Sequence, residues 1–329
     1  MAATSLLEQL RTEIRRRNYS RRTEQAYTGW VKRYVRFHGL RHPREMGRDE
    51  LVAFLSHLAT QRRVSPSTQN QAASAILFLY RCVLRIPIEE PEAFARAKRP
   101  RRLPVVLTPP EAARIIDRLE GDPRTVALLL YGSGLRLLEA LSLRVKDLDF
   151  DRGEILVRDA KGHRDRVTML PRVARAPIEA LLDRARRQWQ EDVDRGAGWV
   201  ALPHALDRKL PGAGREWPWQ WVFPARRIYK DEETGRRHRH HLHETVVQRA
   251  VKRAVELSGV PKRASSHTFR HSFATHLLVA GYDIRTIQDL LGHRNVRTTM
   301  QYTHVLNKGG YAVRSPADVL FDGDTGAGK

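Results

Sequence analysis

Apolar side chains recur every three or four residues through the first third of the chain, which is the spacing of amphipathic helices. Such stripes run over 26–37, 51–58 and 72–83, and Ser20 is placed to cap the first of these helices. Arginine and lysine side chains occupy the opposite helix faces. The pattern therefore predicts a helical N-terminal domain over residues 1–95.

A proline-broken basic stretch follows this helical region. Residues 96–106 contain no acidic side chain, a composition typical of a linker, and their charge favours contact with a nucleic-acid backbone. A capping box from Thr108 to Glu111 then opens a new helix, and the helical pattern continues to about Tyr131. A second domain is predicted over residues 107–329.

Helical and strand periods alternate within this second domain. Two short apolar runs at 154–157 and 167–170 surround a polar turn, as in a β-hairpin. Helical spacing returns up to about Gln190, and glycines close two later helices at 267–280 and 284–291. The predicted fold class is mainly α with a small β-hairpin or sheet, an α+β arrangement.

Residues from about 191 to 227 interrupt this rhythm with glycine, proline and tryptophan. Trp217, Trp219 and Trp221 alternate, so that two of them would share one side of an extended segment. At least one of the three is expected to pack a small core. Histidines follow at 238–243, but the arginines among them and the absence of a nearby cysteine disfavour a zinc site.

Charge then narrows the class of partner. The 329 residues include 59 Lys and Arg against 37 Asp and Glu, a net charge of +22, and the pI is about 10.9. Charge of this size makes DNA or RNA the leading partner, with a generally adhesive basic protein as the alternative. A single cysteine excludes a disulfide framework. With neither a membrane-length apolar run nor a secretory signal pattern, we expect a soluble cytoplasmic protein without membrane contact.

Several side chains of the second domain could act on a phosphodiester. No carboxylate cluster indicates a magnesium site, which favours phosphoryl transfer without a metal. Two guanidiniums can hold the phosphate oxygens, a phenol can attack the phosphorus, and a lysine or histidine can protonate the leaving oxygen. A last short helix is predicted across the late tyrosine. The candidates are Arg136, Glu139, Lys161, His267, Arg270, His271, His293 and Tyr302.

This order of residues resembles the tyrosine site-specific recombinases. The likeness is carried by the motifs His267–Arg270 (HTFR), Leu291–His293 (LGH) and Tyr302–His304 (YTH), and the first domain resembles the family's helical SAM-like core-binding domain. The resemblance implies a C-shaped DNA clamp and a 3′-phosphotyrosine intermediate, formed without metal, ATP or another cofactor. The implied roles are phosphate clamp for Arg136 and Arg270, general acid for Lys161, proton transfer and phosphate binding for His267 and His293, orientation for Glu139, and nucleophile for Tyr302.

Three segments, 201–209, 214–224 and 240–244, resemble those particular to integron integrases. That subfamily recombines gene cassettes between attC, a folded single-stranded hairpin, and attI, a double-stranded site. The resemblance implies a DNA-bound homotetramer in the bacterial cytoplasm, whose inserted segment receives bases that bulge from the hairpin. Aromatic faces suit such bases, each stack being worth roughly 1–3 kcal/mol.

The residues expected to contact DNA are basic or aromatic and lie in the first domain, the linker and the inserted segment. They are Arg21, Arg22, Lys32, Arg33, Lys98, Arg99, Arg101, Arg102, Lys209, Trp217, Trp219, Trp221, His240 and His241. Three alternatives stay open: a phage- or chromosome-resolving recombinase on duplex DNA, a type IB topoisomerase, and a DNA-binding protein without catalysis. Strand preference separates the first from an integron integrase.

Overall fold

The computed structural model describes residues 5–89, 104–160, 164–203, 206–232, 234–300 and 302. The chain divides into two compact units, Met1–Arg102 and Leu103–Lys329, each with its own hydrophobic core. Helices predominate and the strands form small antiparallel sheets, which confirms the predicted α+β class. Most of the predicted linker lies outside the described residues, including Lys98, Arg99, Arg101 and Arg102.

The first unit is helical throughout its described part. Its helices are α1 (Leu6–Arg16), α2 (Arg21–Phe37), α3 (Arg48–Thr60) and α4 (Pro66–Phe78), with a 3₁₀ turn at Pro43–Glu45 and a π-helical continuation at Leu79–Leu84. Ser5, Ser20 and Ser65 accept backbone N–H bonds as N-caps. The predicted stripe within 51–58 is buried against α2 and α4.

The four predicted DNA-contacting residues that the structure describes in this unit lie on its surface. Arg21, Arg22, Lys32 and Arg33 are all exposed at positions along α2. The guanidinium of Arg33 lies over the buried Trp30 ring, 4.7 Å from its centroid. The position of this cation is therefore fixed by the core beneath it.

The second unit combines helices with two small sheets. Its helices are α5 (Pro109–Asp117), α6 (Gly121–Gly132), α7 (Leu137–Leu141), α8 (Arg172–Asp194), α9 (Leu206–Lys209), α10 (Glu244–Leu257), α11 (Ser266–Val279), α12 (Ile284–Leu291) and α13 (Val296–Met300). Its strands are β1 (Leu148–Asp149), β2 (Glu154–Ala160), β3 (Arg164–Met169), β4 (Pro224–Lys230) and β5 (Arg237–His241). Within the described ranges, no helix has the length and apolarity needed to cross a bilayer.

The sheets are antiparallel, with the order β1–β2–β3 in one and β4–β5 in the other. The predicted hairpin is confirmed as β2 and β3, where Ile155 pairs with Thr168 and Leu156 with Val167. Strand β1 was not predicted because its two residues are too short to show a period. Helix α8 continues to Asp194, beyond the predicted end.

Two predicted helices end differently in the structure. The pattern that was predicted to run to about Tyr131 is split between α5 and α6, and Gly121, which opens α6, has a φ of +56°. A left-handed residue interrupts a helix, although the apolar spacing continues across it. The last helix, predicted to span Tyr302, ends at Met300.

The tryptophan-rich segment, residues 217–221, does not form an extended strand. Trp217–Trp219 forms a 3₁₀ turn in which the Gln220 N–H donates to the Trp217 carbonyl at 3.0 Å. Pro218 supplies the fixed φ of such a turn. The expectation that alternation places two tryptophans on one side of an extended segment is therefore wrong.

Candidate active site

Glu139 on α7 is the carboxylate shared by three arginines. Arg136 approaches it at 2.6 Å and Arg166 at 2.7 Å, while Arg270 Nη1 lies 3.7 Å from its Oε2. Burial raises the pKa of Glu139, but the hydrogen bonds and charges of Arg166 and Arg136 outweigh it and lower the pKa to about 2. The site therefore holds one anion and three cations, leaving two positive charges in excess.

Arg270 on α11 is buried and fixed by the chain around it. Its guanidinium donates to the backbone carbonyl of Gly134, to that of Leu291 at 2.6 Å, and to His293 Nε2 at 3.1 Å. Gly134 has a φ of +65°, and a Cβ there would lie 2.5 Å from the Phe273 ring, so the turn that presents this carbonyl requires glycine. Burial lowers the pKa of Arg270 to about 9, which leaves it charged at neutral pH.

His293, which follows α12, contacts both Arg270 and Tyr302. Because its Nε2 accepts from Arg270, its Nδ1 carries the proton and donates to the buried Thr299 hydroxyl at 2.9 Å. Its ring is stacked on that of Tyr302, with centroids 6.4 Å apart and planes inclined by 15°. Burial and the charge of Arg270 lower the pKa of His293 to about 3, so the ring is neutral.

Tyr302 is buried, with 1% of its surface exposed. Its phenolic oxygen lies 3.0 Å from Nδ1 of His271, the residue after Arg270 on α11. His267 lies one helical turn earlier at the surface, and its ring centroid is 5.8 Å from that of His271. One helix therefore supplies a buried guanidinium and a tyrosine-bonded imidazole to the same site.

The predicted catalytic residues fall into two groups. The structure brings together Arg136, Glu139, Arg270, His293 and Tyr302. Lys161, which separates β2 from β3 in the sequence, lies outside the described residues, and His304 lies outside them too. The site can bind an anion with its arginines and present a phenol beside them.

Arg166 was missed by the sequence reasoning. It lies on β3 with 8% of its side chain exposed, and it donates to the Leu290 carbonyl at 2.9 Å as well as to Glu139. Along β3, Thr168 points inward and is buried, as Arg166 is, whereas the intervening Val167 is exposed. The alternation of a strand could have identified this inward cation, but 167–170 appears as a uniform apolar run.

Arg144 organises the tryptophan-rich segment. It is 6% exposed, and its guanidinium donates to the carbonyl of Trp219 at 2.6 Å and to that of Ala201 at 2.7 Å. The same guanidinium lies 4.0 Å from the Trp221 ring centroid, and the Lys146 ammonium lies over the Trp219 ring. Burial lowers the pKa of Lys146 to about 8. The partly buried Trp219 ring is thus held on a cationic support.

The three tryptophans have different environments. Trp221 is 8% exposed and donates to the Arg239 carbonyl at 3.1 Å, which confirms that at least one of the three is a core residue. Its burial removes it from the surface that DNA could contact. Trp217 packs against Trp189, with ring centroids 5.6 Å apart. Trp217 and Trp219 are both partly exposed, and Trp219 is the one with the Lys146 ammonium over its ring.

A buried ion pair joins the β4–β5 hairpin to α8. Arg239 meets Asp192 through two hydrogen bonds of 2.6 and 2.8 Å. Next to it, His240 is exposed and lies 4.1 Å from His241, measured between ring centroids. Lys209 is exposed at the end of α9. No group of His, Cys, Asp or Glu among the described residues is arranged to hold a metal ion.

Comparison with known proteins identifies the family of this chain. Residues 106–308 match the phage integrase family, and residues 6–90 match the N-terminal SAM-like domain of phage integrases. The chain therefore belongs to the phage integrase family, the tyrosine recombinases. These enzymes cleave and rejoin DNA in site-specific recombination, so this chain is a DNA-binding enzyme of that class.

Individual relatives agree over almost the full length. An integrase/recombinase of Escherichia coli is 53% identical over 320 residues, which cover 97% of this chain and 95% of the relative. The tyrosine recombinase XerA of Thermococcus kodakarensis is 31% identical over 305 residues, with 91% and 90% covered. A lambda integrase dimer bound to a core site has a TM-score of 0.60 at 16% identity, with 94% and 98% covered, and supports the fold alone.

Proposed function

We propose that this recombinase is an integron integrase, which excises and inserts gene cassettes by strand exchange between a folded single-stranded attC hairpin and a double-stranded attI site. The observation that carries the proposal is the partly exposed Trp219, held by Arg144 and Lys146 in a segment that resembles the one particular to integron integrases. A fixed aromatic face on a basic surface suits an unstacked base, which a hairpin can offer and a regular duplex cannot.

The support beneath Trp219 makes stacking efficient. Because Arg144 holds its carbonyl and Lys146 covers one ring face, little side-chain freedom remains to be lost when a base stacks. The exposed His240, beside His241, supplies ring nitrogens that can bond base edges or phosphates. The segment therefore provides a stacking face and polar contacts for an extruded base.

The reaction we propose consists of two transesterifications. The Tyr302 oxygen gives its proton to a histidine of the site and attacks the scissile phosphorus while Arg136 and Arg270 hold the non-bridging oxygens. The bond from phosphorus to the 5′ oxygen breaks, Lys161 protonates that oxygen, and a 3′-phosphotyrosine remains. The 5′ hydroxyl of a partner strand then gives its proton to Lys161 and attacks the phosphotyrosine, and the released tyrosine takes its proton back from the histidine. The phosphotyrosine conserves the bond energy, so the exchange requires no ATP.

The charge of the site fits this transition state. The two excess positive charges around Glu139 stabilise the additional negative charge that develops on the phosphoryl oxygens. His293 accepts from Arg270 as a neutral ring and so orients the clamp, and His267 at the surface is assigned to phosphate binding. The arginines thus provide the charge stabilisation that a metal ion provides in other nucleases.

The remaining predicted contacts complete the DNA path. We assign residues 1–95 to the core-binding domain, 96–106 to a backbone-contacting linker and 107–329 to the catalytic domain, with its insertion at about 191–227. The DNA contacts are assigned to Arg21, Arg22, Lys32, Arg33, the linker cations and Lys209. Four such chains would assemble on two DNA sites. Binding should weaken steeply with salt because these contacts release counterions.

Strand preference tests this function. Gel-shift titrations should compare the two separated strands of an attC site, the attC duplex and an attI duplex. An integron integrase binds one folded attC strand more tightly than its complement, and it binds attI as a duplex. A hairpin with its bulged bases deleted is the matched control and should bind more weakly. Equal affinity for both attC strands and the attC duplex would replace the proposal with a recombinase of duplex sites.

A further inference from the structure

His271 is a half-buried imidazole in the active site to which neither the motif pattern nor the proposed roles assign a function. It is half-buried on α11, and its Nδ1 lies 3.0 Å from the Tyr302 oxygen. The two ring centroids are 5.6 Å apart. The phenol can donate to Nδ1 when the imidazole carries its own proton on Nε2. This contact joins a basic nitrogen directly to the atom that attacks the phosphate.

We propose that His271 is the catalytic base that accepts the Tyr302 proton during attack on the scissile phosphate. This inference rests on the proposed role of Tyr302 as nucleophile. In the step, the O–H bond of Tyr302 breaks and its proton moves to His271 Nδ1, while the phenolic oxygen bonds to phosphorus. The bond to the 5′ oxygen breaks, and that oxygen takes its proton from Lys161. Rejoining reverses the transfer, and the imidazolium returns its proton to the tyrosine.

The charges around His271 keep it neutral before DNA binds. Arg270 and His267 lie on the same helix, and His293 and Tyr302 face it from the segments after α12 and α13. Burial, with the charges of His267 and Arg270, lowers the pKa of His271 to about 4. A bound phosphodiester adds negative charge beside Arg270, so it raises this pKa towards the ordinary range at the moment when a base is needed.

His267 is the competing candidate, because the motif resemblance gives it proton transfer. The geometry separates the two histidines. His271 Nδ1 is within hydrogen-bond distance of the Tyr302 oxygen, whereas His267 is exposed and contacts His271 edge to face at a centroid distance of 5.8 Å. His267 is thus placed towards solvent and an arriving phosphate, and His271 towards the nucleophile.

The experiment is single-turnover cleavage of a nicked attC hairpin, measured as covalent protein–DNA complex between pH 6 and 9. Each variant is tested on the ordinary phosphodiester and on one with sulfur in place of the 5′ bridging oxygen, whose thiolate leaves without a proton. The variants are His271→Ala, His271→Asn, His267→Ala, Lys161→Ala and Tyr302→Phe. Gel-shift affinity and urea unfolding are measured for each, so that a folding or binding defect is recognised.

The base role predicts a specific pattern. His271→Ala and His271→Asn should both slow cleavage on the order of 100-fold on both substrates, since general base catalysis contributes about that much, with DNA affinity unchanged. The asparagine retains an acceptor for the phenol but cannot take its proton. The residual rate should rise with pH as hydroxide replaces the base, and added imidazole should partly restore His271→Ala. The substrate with sulfur in place of the 5′ bridging oxygen should restore the cleavage rate of Lys161→Ala but not that of the His271 variants.

Four results would overturn the proposal. Cleavage by His271→Ala within twofold of the wild type, or full activity of His271→Asn, would leave no base role for this residue. Faster cleavage of the sulfur-containing substrate by His271→Ala would show that His271 protonates the leaving 5′ oxygen and does not accept the Tyr302 proton. A covalent complex formed by Tyr302→Phe would refute the nucleophile itself, and this outcome is distinguished from the others because it does not depend on any His271 variant.

Discussion

Arginine is used in two ways within the catalytic unit. Around Glu139, guanidiniums are held by a carboxylate and by backbone carbonyls, as when Arg166 bonds both Glu139 and Leu290. In the tryptophan-rich segment, guanidiniums lie over rings, with Arg144 at 4.0 Å from Trp221. The first arrangement fixes positive charge for an incoming phosphate. The second uses positive charge to fix aromatic faces.

In the proposed function, the first region carries out the chemistry and the second recognises the DNA. Loss of the shared anion leaves buried cations uncompensated, which affects both folding and cleavage. Loss of one exposed ring removes a contact surface and leaves the rest of the fold intact. Substitutions in the two regions should therefore differ in size and in which measurement they change.

The largest effect is expected from Glu139→Gln. The substitution removes the charge that holds Arg136, Arg166 and Arg270, so the free energy of unfolding should fall by about 3–5 kcal/mol and cleavage should be lost. Urea denaturation measures the first and covalent-complex assays the second. The control is Glu179→Gln, which breaks an exposed pair with Arg175 and should cost under about 0.5 kcal/mol. Equal losses in both variants would contradict the shared-anion role.

Arg144→Ala should have the next largest effect, and it should be confined to the tryptophan-rich segment. It leaves the carbonyls of Trp219 and Ala201 without their donor, at a cost of about 2–3 kcal/mol. We expect faster proteolysis within the segment and weaker hairpin binding. Arg186→Ala, which removes an exposed guanidinium 5.7 Å from Trp217, is the control. Unchanged proteolysis in Arg144→Ala would show that the segment is held by other contacts.

Acid should destabilise the catalytic unit through its neutral histidines. The pKa of His293 is about 3 in the fold against 6.5 ordinarily, so below pH 6.5 the unfolded chain binds a proton that the folded chain does not. The contribution of neutral His293 to the free energy of unfolding is complete above pH 6.5 and is lost as the pH falls towards 3. Between pH 7 and pH 5 the loss amounts to about 2 kcal/mol. Urea unfolding of the wild type and His293→Gln should show the smaller pH slope in the variant. Equal pH slopes in the two proteins would refute the neutral state of His293 in the folded protein.

The smallest effect is expected from Trp219→Ala. Removing this ring should weaken binding of the attC hairpin roughly tenfold, the lower part of the range for a base stack, and should leave attI duplex binding nearly unchanged. Trp217→Ala is the matched control because that ring packs on Trp189. Equal losses on hairpin and duplex would return Trp219 to a structural role.

Much of the fold follows from local pattern. The capping box at Thr108, the α2 cap at Ser20 and the glycine after α12 have their predicted roles because each depends on neighbouring residues alone. The break at Gly121 was missed because apolar spacing continues through it. The turn at Trp217–Trp219 was missed because an alternating sequence is compatible with either form.

The candidate site was predicted in its residues but not in its connections. The motifs and the family resemblance selected Arg136, Arg270, His293 and Tyr302, which the structure brings together. It did not reveal that Arg166 shares Glu139, since that contact depends on how β3 packs against α7. In the same way, the contact of Tyr302 with His271 depends on how the segment after α13 returns to α11. Such pairings between distant segments leave no local signal in one sequence.

The central claim is that Tyr302 attacks one phosphodiester, which Arg136 and Arg270 hold. It is tested most directly by incubating the wild type and Tyr302→Phe with a nicked, labelled attC hairpin and separating the products under denaturing conditions. We predict a covalent adduct on Tyr302 for the wild type, and none for Tyr302→Phe despite equal DNA binding. A covalent adduct that persists in Tyr302→Phe would contradict the account.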